Sequence, residues 1–196
     1  MPRITVDITE VLKGLRKVSD QSTRAMKAVV SDAKHRAPGW ISKAIRQEYT
    51  VEPSEIKKSL RVKQGGHIPF AGVVVDDVIL EYTGRMLTPI HFKMAPKSRP
   101  KSRKYSITVE IKRGQRQRLM GKTKYQRPAF LASAKGSPSI PWQREGRARL
   151  PIVPVKTLSV PQMIQSAKGP KPNVERALKE GLEKRLIHQF NRLVLQ

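Results

Sequence analysis

The chain has no cysteine, which excludes a disulfide framework and a thiolate metal site and leaves stability to packing or assembly. Acidic residues are scarce: 15 Asp and Glu stand against 40 Lys and Arg, a formal net charge of +25. A compact state with that much charge of one sign repels itself, so a polyanion or an acidic protein surface is the expected counterpart. Phosphate backbones are the default partner, because counterion release favours binding to a basic surface without any reading of sequence. There is no run of about 20 apolar residues, and no membrane contact is expected. The start, Met1-Pro2-Arg3-Ile4-Thr5-Val6-Asp7, lacks the layout of a secretory signal, so synthesis and use in a cytoplasm are expected. Only 5% of residues are aromatic and 38% hydrophobic, which predicts a modest core within a single unit spanning 1–196.

Catalytic groupings are missing as well. His35, His67, His91 and His188 are far apart and show no pair at helical zinc-ligand spacing. Asp32 and His35 can share a helical face, where a surface ion pair is the simpler reading. Asp76-Asp77 with Glu81 could ligate a cation, yet a tight turn fits better, since Asp bonds to its own backbone in turns. Gly65-Gly66, Gly114 and Gly121 match neither a phosphate-cradling loop nor a dinucleotide fingerprint, and there is no nucleophile elbow. A non-enzymatic protein without cofactor or metal is therefore expected. No zinc finger, helix-turn-helix turn or aromatic RNA-binding signature is present, so any phosphate contact should be non-specific.

What is present is patterned. Ile8, Val11, Leu12, Leu15 and Val18, then Met26, Val29, Val30, Ala33 and Ala37, recur at helical spacing, with Asp7 or Thr9 as N-cap. Pro38-Gly39 is expected to stop that helix, and a second, short one should carry Trp40, Ile41, Ala44, Ile45 and Tyr49. Another should start at Pro53, with Ser54 as cap and Glu55 near the positive end of the dipole. From Leu60 the pattern turns strand-like: Leu60 and Val62, a turn at Gly65-Gly66, then Phe70 to Tyr82 with a turn or bulge at Asp76-Asp77. Leu87 to Met94 and Tyr105 to Ile111 read as further strands, the second burying one face. Ala129 to Ala132 returns to the core. Leu150 to Val155 is an edge or irregular strand, because Pro151 and Pro154 cannot donate ladder bonds. A final helix from about Asn173 to Leu195 bears Val174, Ala177, Leu178, Leu182, Leu186, Phe190 and Leu193 on one stripe. The expected class is α+β: a mostly antiparallel sheet or partial barrel packed by long N- and C-terminal helices.

The positive charge is concentrated in two stretches, about 95–104 and 112–127, each read as a long loop, ordered only on docking, because apolar periodicity is lacking. Lys97, Arg99, Lys101, Arg103 and Lys104 lie in the first, and Lys112, Arg113, Arg116, Arg118, Lys122, Lys124 and Arg127 in the second. Only Glu110 opposes them. These cations are the candidate contacts to a polyanion or an acidic partner.

Several segments in order resemble the minor tail protein Z family of tailed phages and prophages. Arg149-Leu150-Pro151-Ile152 and Ser159-Val160-Pro161-Gln162-Met163 carry the likeness most clearly. Leu87-Thr88-Pro89-Ile90-His91-Phe92-Lys93-Met94, the basic stretch, Ala129-Phe130, Arg144-Glu145-Gly146-Arg147 and the C-terminal His188-Gln189-Phe190 extend it over nearly the whole chain. The resemblance implies a structural virion protein without an active site, at the head-proximal end of a tail: a completion or terminator part, or a neck ring. It implies a homo-oligomer, six-fold in related rings, that docks to adjacent tube, terminator or neck proteins and is assembled in the host bacterial cytoplasm, with the basic stretches facing either non-specifically bound DNA or acidic protein surfaces. A ring of six would carry roughly 150 formal positive charges, so assembly should depend on acidic neighbours or DNA. Leu150, Ile152, Val160 and Met163 are the candidates for a packed segment near an interface. The competing expectation is a non-viral basic nucleic-acid-binding protein, ribosome- or nucleoid-associated, which composition by itself favours.

Overall fold

The computed structural model describes residues 3–5, 20–70, 73–102, 104–120, 127–133, 139–166 and 169–193. The expected N-terminal caps Asp7 and Thr9, the apolar positions between Ile8 and Val18, and Arg103, Lys122 and Lys124 lie outside the described residues. The class is α+β: among the described residues, four helices accompany three separate three-stranded antiparallel sheets, and no closed barrel forms.

Helix α1 runs from Asp20 to Glu48 without a break at Pro38, which corrects the expected stop. Proline inside a helix costs about 3 kcal/mol through a lost hydrogen bond and a ring clash. The carbonyl deprived of its partner belongs to exposed Lys34. Continuing the helix keeps Ala37, Ile41, Ala44 and Ile45 on the stripe begun by Met26, Val29, Val30 and Ala33, all buried. Burying Ile41 and Ile45 gains about 1.5–3 kcal/mol each, so tertiary packing outweighs the local penalty.

The partner of that stripe is the C-terminal helix, Lys171–Leu193, called α4 in chain order. Three cross-helix pairs fix an antiparallel register. Asn173 Nδ2 donates to Glu48 Oε1 at 2.9 Å, Trp40 covers Gly181, and Asp32 Oδ2 accepts from Arg185 Nε and Gln189 Nε2, each at 2.8 Å. Val174, Leu178 and Leu182 are buried in this seam, and Leu186 and Phe190 pack at its margin. Asp32 thus pairs across the helices rather than with His35, whose ring hydrogen-bonds the Ser31 carbonyl.

Helix α2, Pro53–Ser59, places Pro at its first position, where the missing N–H costs nothing. Glu52, not Ser54, occupies the N-cap position, without a side-chain cap bond. The first sheet orders β1 (Arg3–Thr5), β3 (Val73–Tyr82) and β2 (Leu60–Phe70), with β3 central. Gly65-Gly66 is not a turn: it lies within β2, where Gln64 faces Val78 and His67 faces Asp76. Two residues oppose one there, which is a bulge that glycine accommodates. Asp76-Asp77 accordingly sits in the strand opposite that bulge and makes no tight turn. Leu80 and Tyr82 enter the core, while Glu81 is held by Lys63 Nζ at 2.6 Å.

The second sheet is β4 (Lys93–Ala95), β5 (Thr108–Glu110) and β6 (Arg116–Arg118). Tyr105, Ile107, Val109 and Ile111 alternate inward as expected, Ile107 and Val109 fully. The expected strand from Leu87 is shorter, because a 3₁₀ turn at Pro89–His91 precedes β4. The third sheet is β7 (Phe130–Ala132), β8 (Ile140–Arg144) and β9 (Ile152–Pro154). β9 is one of its two edges, a position that tolerates Pro154. Short α3, Val160–Gln165, opens with a capping box: Ser159 Oγ accepts from the Gln162 N–H while the Gln162 side chain accepts from the Ser159 N–H.

The α1–α4 seam is open to test at two places. A Cβ added to Gly181 would lie 2.5 Å from Trp40 Cε3. Gly181→Ala should therefore destabilise by about 1–3 kcal/mol through overpacking, outweighing the roughly 1 kcal/mol gain in helix propensity. The sign should reverse in a Trp40→Ala background, as read by denaturant unfolding. Burial pulls the Asp32 carboxyl up, but the Gln189 and Arg185 hydrogen bonds and the Arg185 charge outweigh it, leaving the group below the ordinary value of 3.8. A depressed folded-state value adds stability above the unfolded value that is lost as pH falls. Asp32→Asn should cost about 1–2 kcal/mol at neutral pH, and the gap should close progressively in unfolding curves taken below pH 3.8.

Candidate functional site

Charge is segregated along the fold. Between residues 82 and 174 the chain has 21 Lys and Arg and only Glu110 and Glu145 as acids, and this span contains the second and third sheets. The other acids lie before and after it, several on α1, α2 and α4.

The structure divides the candidate cations. Lys97, Arg99, Lys101 and Lys104 are exposed along the first basic stretch, where Ser102 Oγ turns the chain by accepting from the Lys104 N–H at 3.3 Å. The second stretch is only partly the loop expected of it. Gly114, at φ 76°, makes the turn that lets Arg116–Arg118 pair with β5, Arg116 facing Glu110 and Arg118 facing Thr108. Backbone bonds hold this strand, so the lack of apolar residues did not prevent it. All three of its side chains are exposed.

Three cations of that stretch have structural employment. The Arg113 N–H donates to the Glu48 carbonyl at 2.7 Å, and its Nε to the Arg46 carbonyl at 2.6 Å. These are carbonyls at the C-terminal end of α1, where a cation also complements the helix dipole. Lys112 Nζ stands 5.9 Å from the centre of the Tyr49 ring. Glu110 is the local anchor: its Oε1 accepts from the Gly114 N–H at 3.0 Å and its Oε2 faces Lys93 at 3.7 Å. The Gly114 bond, with Lys93 and Arg116 nearby, holds its carboxyl below the usual range. Arg127 Nη1 donates to the Arg147 carbonyl at 3.2 Å.

A cleft of about 450 Å³ brings together residues from distant parts of the sequence. Arg99 comes from the first basic stretch, Arg144 from β8 and Arg149 from the loop before β9; Tyr105, Phe130, Leu150 and Ile152 provide apolar walls. No carboxylate is among the described lining residues. The Arg144 guanidinium lies over the Phe130 ring at 5.7 Å, which orients it without neutralising it. The Leu131 N–H donates to Tyr105 Oη at 2.9 Å, tying the end of the first stretch to β7. Three guanidiniums around a partly apolar depression can grip phosphate or carboxylate oxygens in pairs.

Of the four interface candidates, Leu150 is 65% exposed and Ile152 half-buried, both in this cleft, whereas Val160 and Met163 are 2% and 0% exposed and pack the interior. Arg144 and Arg149 were not among the cations singled out by sequence; only the third sheet brings them to Arg99. Of the histidines, His91 stands on the 3₁₀ turn 3.6 Å from Glu55 and His188 is exposed on α4. Among the described residues no three His, Asp or Glu converge as metal ligands, and no helix is long and apolar enough to cross a membrane. No known family profile matches the chain, and no curated protein or solved structure is detectably similar to it.

Arg99 and Arg149 are exposed, so replacing both by Ala should leave unfolding curves unchanged. It should weaken binding of a labelled random-sequence duplex and flatten its dependence on log salt by about 0.9 for each phosphate the variant no longer holds. Fluorescence anisotropy across a salt series reads both effects.

Proposed function

We propose that this chain is a structural, non-catalytic assembly component of a phage or phage-like tail, placed at the head-proximal end as a completion, terminator or neck-ring protein. Its resemblance in segment order to the minor tail protein Z family supports this reading. The observation that carries the physical side is the unneutralised basic half: exposed cations on two small sheets, with an arginine cleft between their elements whose described lining includes no carboxylate. Such a surface stores repulsion that a partner relieves. The subunits form a closed homo-oligomeric ring, and docking to neighbouring tail proteins, with non-specific contact to DNA, supplies the compensating charge. The chain belongs to the virion and is assembled in the host bacterial cytoplasm.

Deleting the coding segment from a producing strain should yield separate heads and tails, with joining restored by the intact chain. Antibody labelling of purified particles should mark one end of the tail in electron micrographs. Normal particles from the deleted strain, together with label spread over the nucleoid or ribosomes, would overturn the tail reading in favour of a cellular nucleic-acid-binding protein.

A further inference from the structure

A second depression, of about 730 Å³, opens where helix α2, the segment after β3, the 3₁₀ turn and the third sheet meet. Its exposed lining is mostly apolar. Met86, 44% exposed, stands in it with Ile90, Ile140 and Pro154, an arrangement that leaves apolar surface in water without a partner. Apart from one carboxylate, the charges around it are positive. Glu55 is its only acid among the described residues, and that carboxylate is already taken by Lys58 Nζ at 2.7 Å and faced by His91. Arg85 and Lys156 are exposed and make no ion pair among the described residues.

We propose that this groove is a docking site for a segment of a different protein in which apolar residues alternate with acidic ones. The apolar floor provides burial for one set of side chains, and Arg85 and Lys156 meet the carboxylates of the other. A second copy of this chain is a poor occupant, because each copy is at +25 and like charges would be pressed together. Nucleic acid is disfavoured too: no Phe, Tyr or Trp is among the described residues that line the groove, whereas single-strand grooves depend on aromatic stacking for each base. The arginine cleft differs in kind, with guanidiniums over aromatic walls. The proposal extends beyond the tail reading and does not rest on it, since any assembly partner of this chemistry satisfies it.

The test uses the full chain and three labelled probes: a peptide alternating leucine and glutamate, a control with serine in place of leucine, and oligothymidine. Fluorescence anisotropy should show the leucine–glutamate peptide binding at least about tenfold tighter than the control, a difference of roughly 1.4 kcal/mol. Met86→Asp and the double change Arg85→Glu with Lys156→Glu should each abolish that preference, while Met86→Asp leaves oligothymidine binding unchanged. All three positions are exposed, and the double variant reports on the groove even if Met86→Asp fails to fold. Equal binding of the two peptides, or a preference that survives the substitutions, would overturn the proposal. So would a Met86→Asp loss shared by oligothymidine, because the groove would then be a nucleic-acid site.

Discussion

The apolar seam between α1 and α4 is the interaction on which the rest of the fold depends. Six of the nine described strands are only three residues long, and strands that short have no independent stability. They persist because individual residues in and beside them reach a common core: Met94, Val109, Leu131 and Val155 are buried with Ile41, Ile45, Leu178 and Leu182. The seam sustains the arrangement since its polar pairs lie at intervals along it. Glu48 with Asn173 and Asp32 with Arg185 and Gln189 set the register, and most of the chain's surplus cations lie in the span that carries the second and third sheets. Core side chains also come from the cationic span, but keeping the seam apart from it leaves most of its described cations exposed, where water weakens their mutual repulsion.

That separation explains which features could be read from residues alone. The stripes of α1 and α4 were legible because helical periodicity repeats over many turns and sums many small signals. Pro38 misled because its cost is local, while the burial of Ile41 and Ile45 that offsets it depends on a helix more than a hundred residues away. Gly65-Gly66 misled differently: glycine's freedom serves a bulge as well as a turn, and only the partner strand decides between them. At Arg116–Arg118 side-chain pattern was silent because backbone bonds to β5 do the pairing. The arginine cleft was half-legible. Arg99 belonged to an evident basic stretch, but Arg144 and Arg149 lie among neighbours of mixed character, and no periodicity links positions that only a sheet brings together.

The segments behind the phage-tail resemblance have structural explanations of their own. Ser159 and Gln162 form a capping box, Pro161 sits in the first turn where proline is tolerated, and Met163 is buried beneath them. Arg149-Leu150-Pro151-Ile152 leads into an edge strand and contributes Arg149, Leu150 and Ile152 to the cleft. One motif therefore stabilises a helix start, and the other combines a fold constraint with exposed chemistry. The second is the more informative about partners, because an exposed Leu150 between an arginine and a proline contributes little to this chain's own packing.

The two depressions differ in the kind of binding free energy they offer. Attraction to the arginine cleft acts over a Debye length of about 8 Å at physiological salt, so it favours encounter and orientation with polyanionic surfaces more than lasting contact. The groove around Met86 has the opposite balance: its apolar floor contributes nothing at a distance and gains free energy only when water is expelled. On the proposed reading, charge brings the chain to its oppositely charged partners, apolar burial retains them, and the repulsion among +25 subunits disfavours self-association until a partner is present. If the chain acts in assembly as proposed, that imbalance sets the order of events: partner first, self-association second.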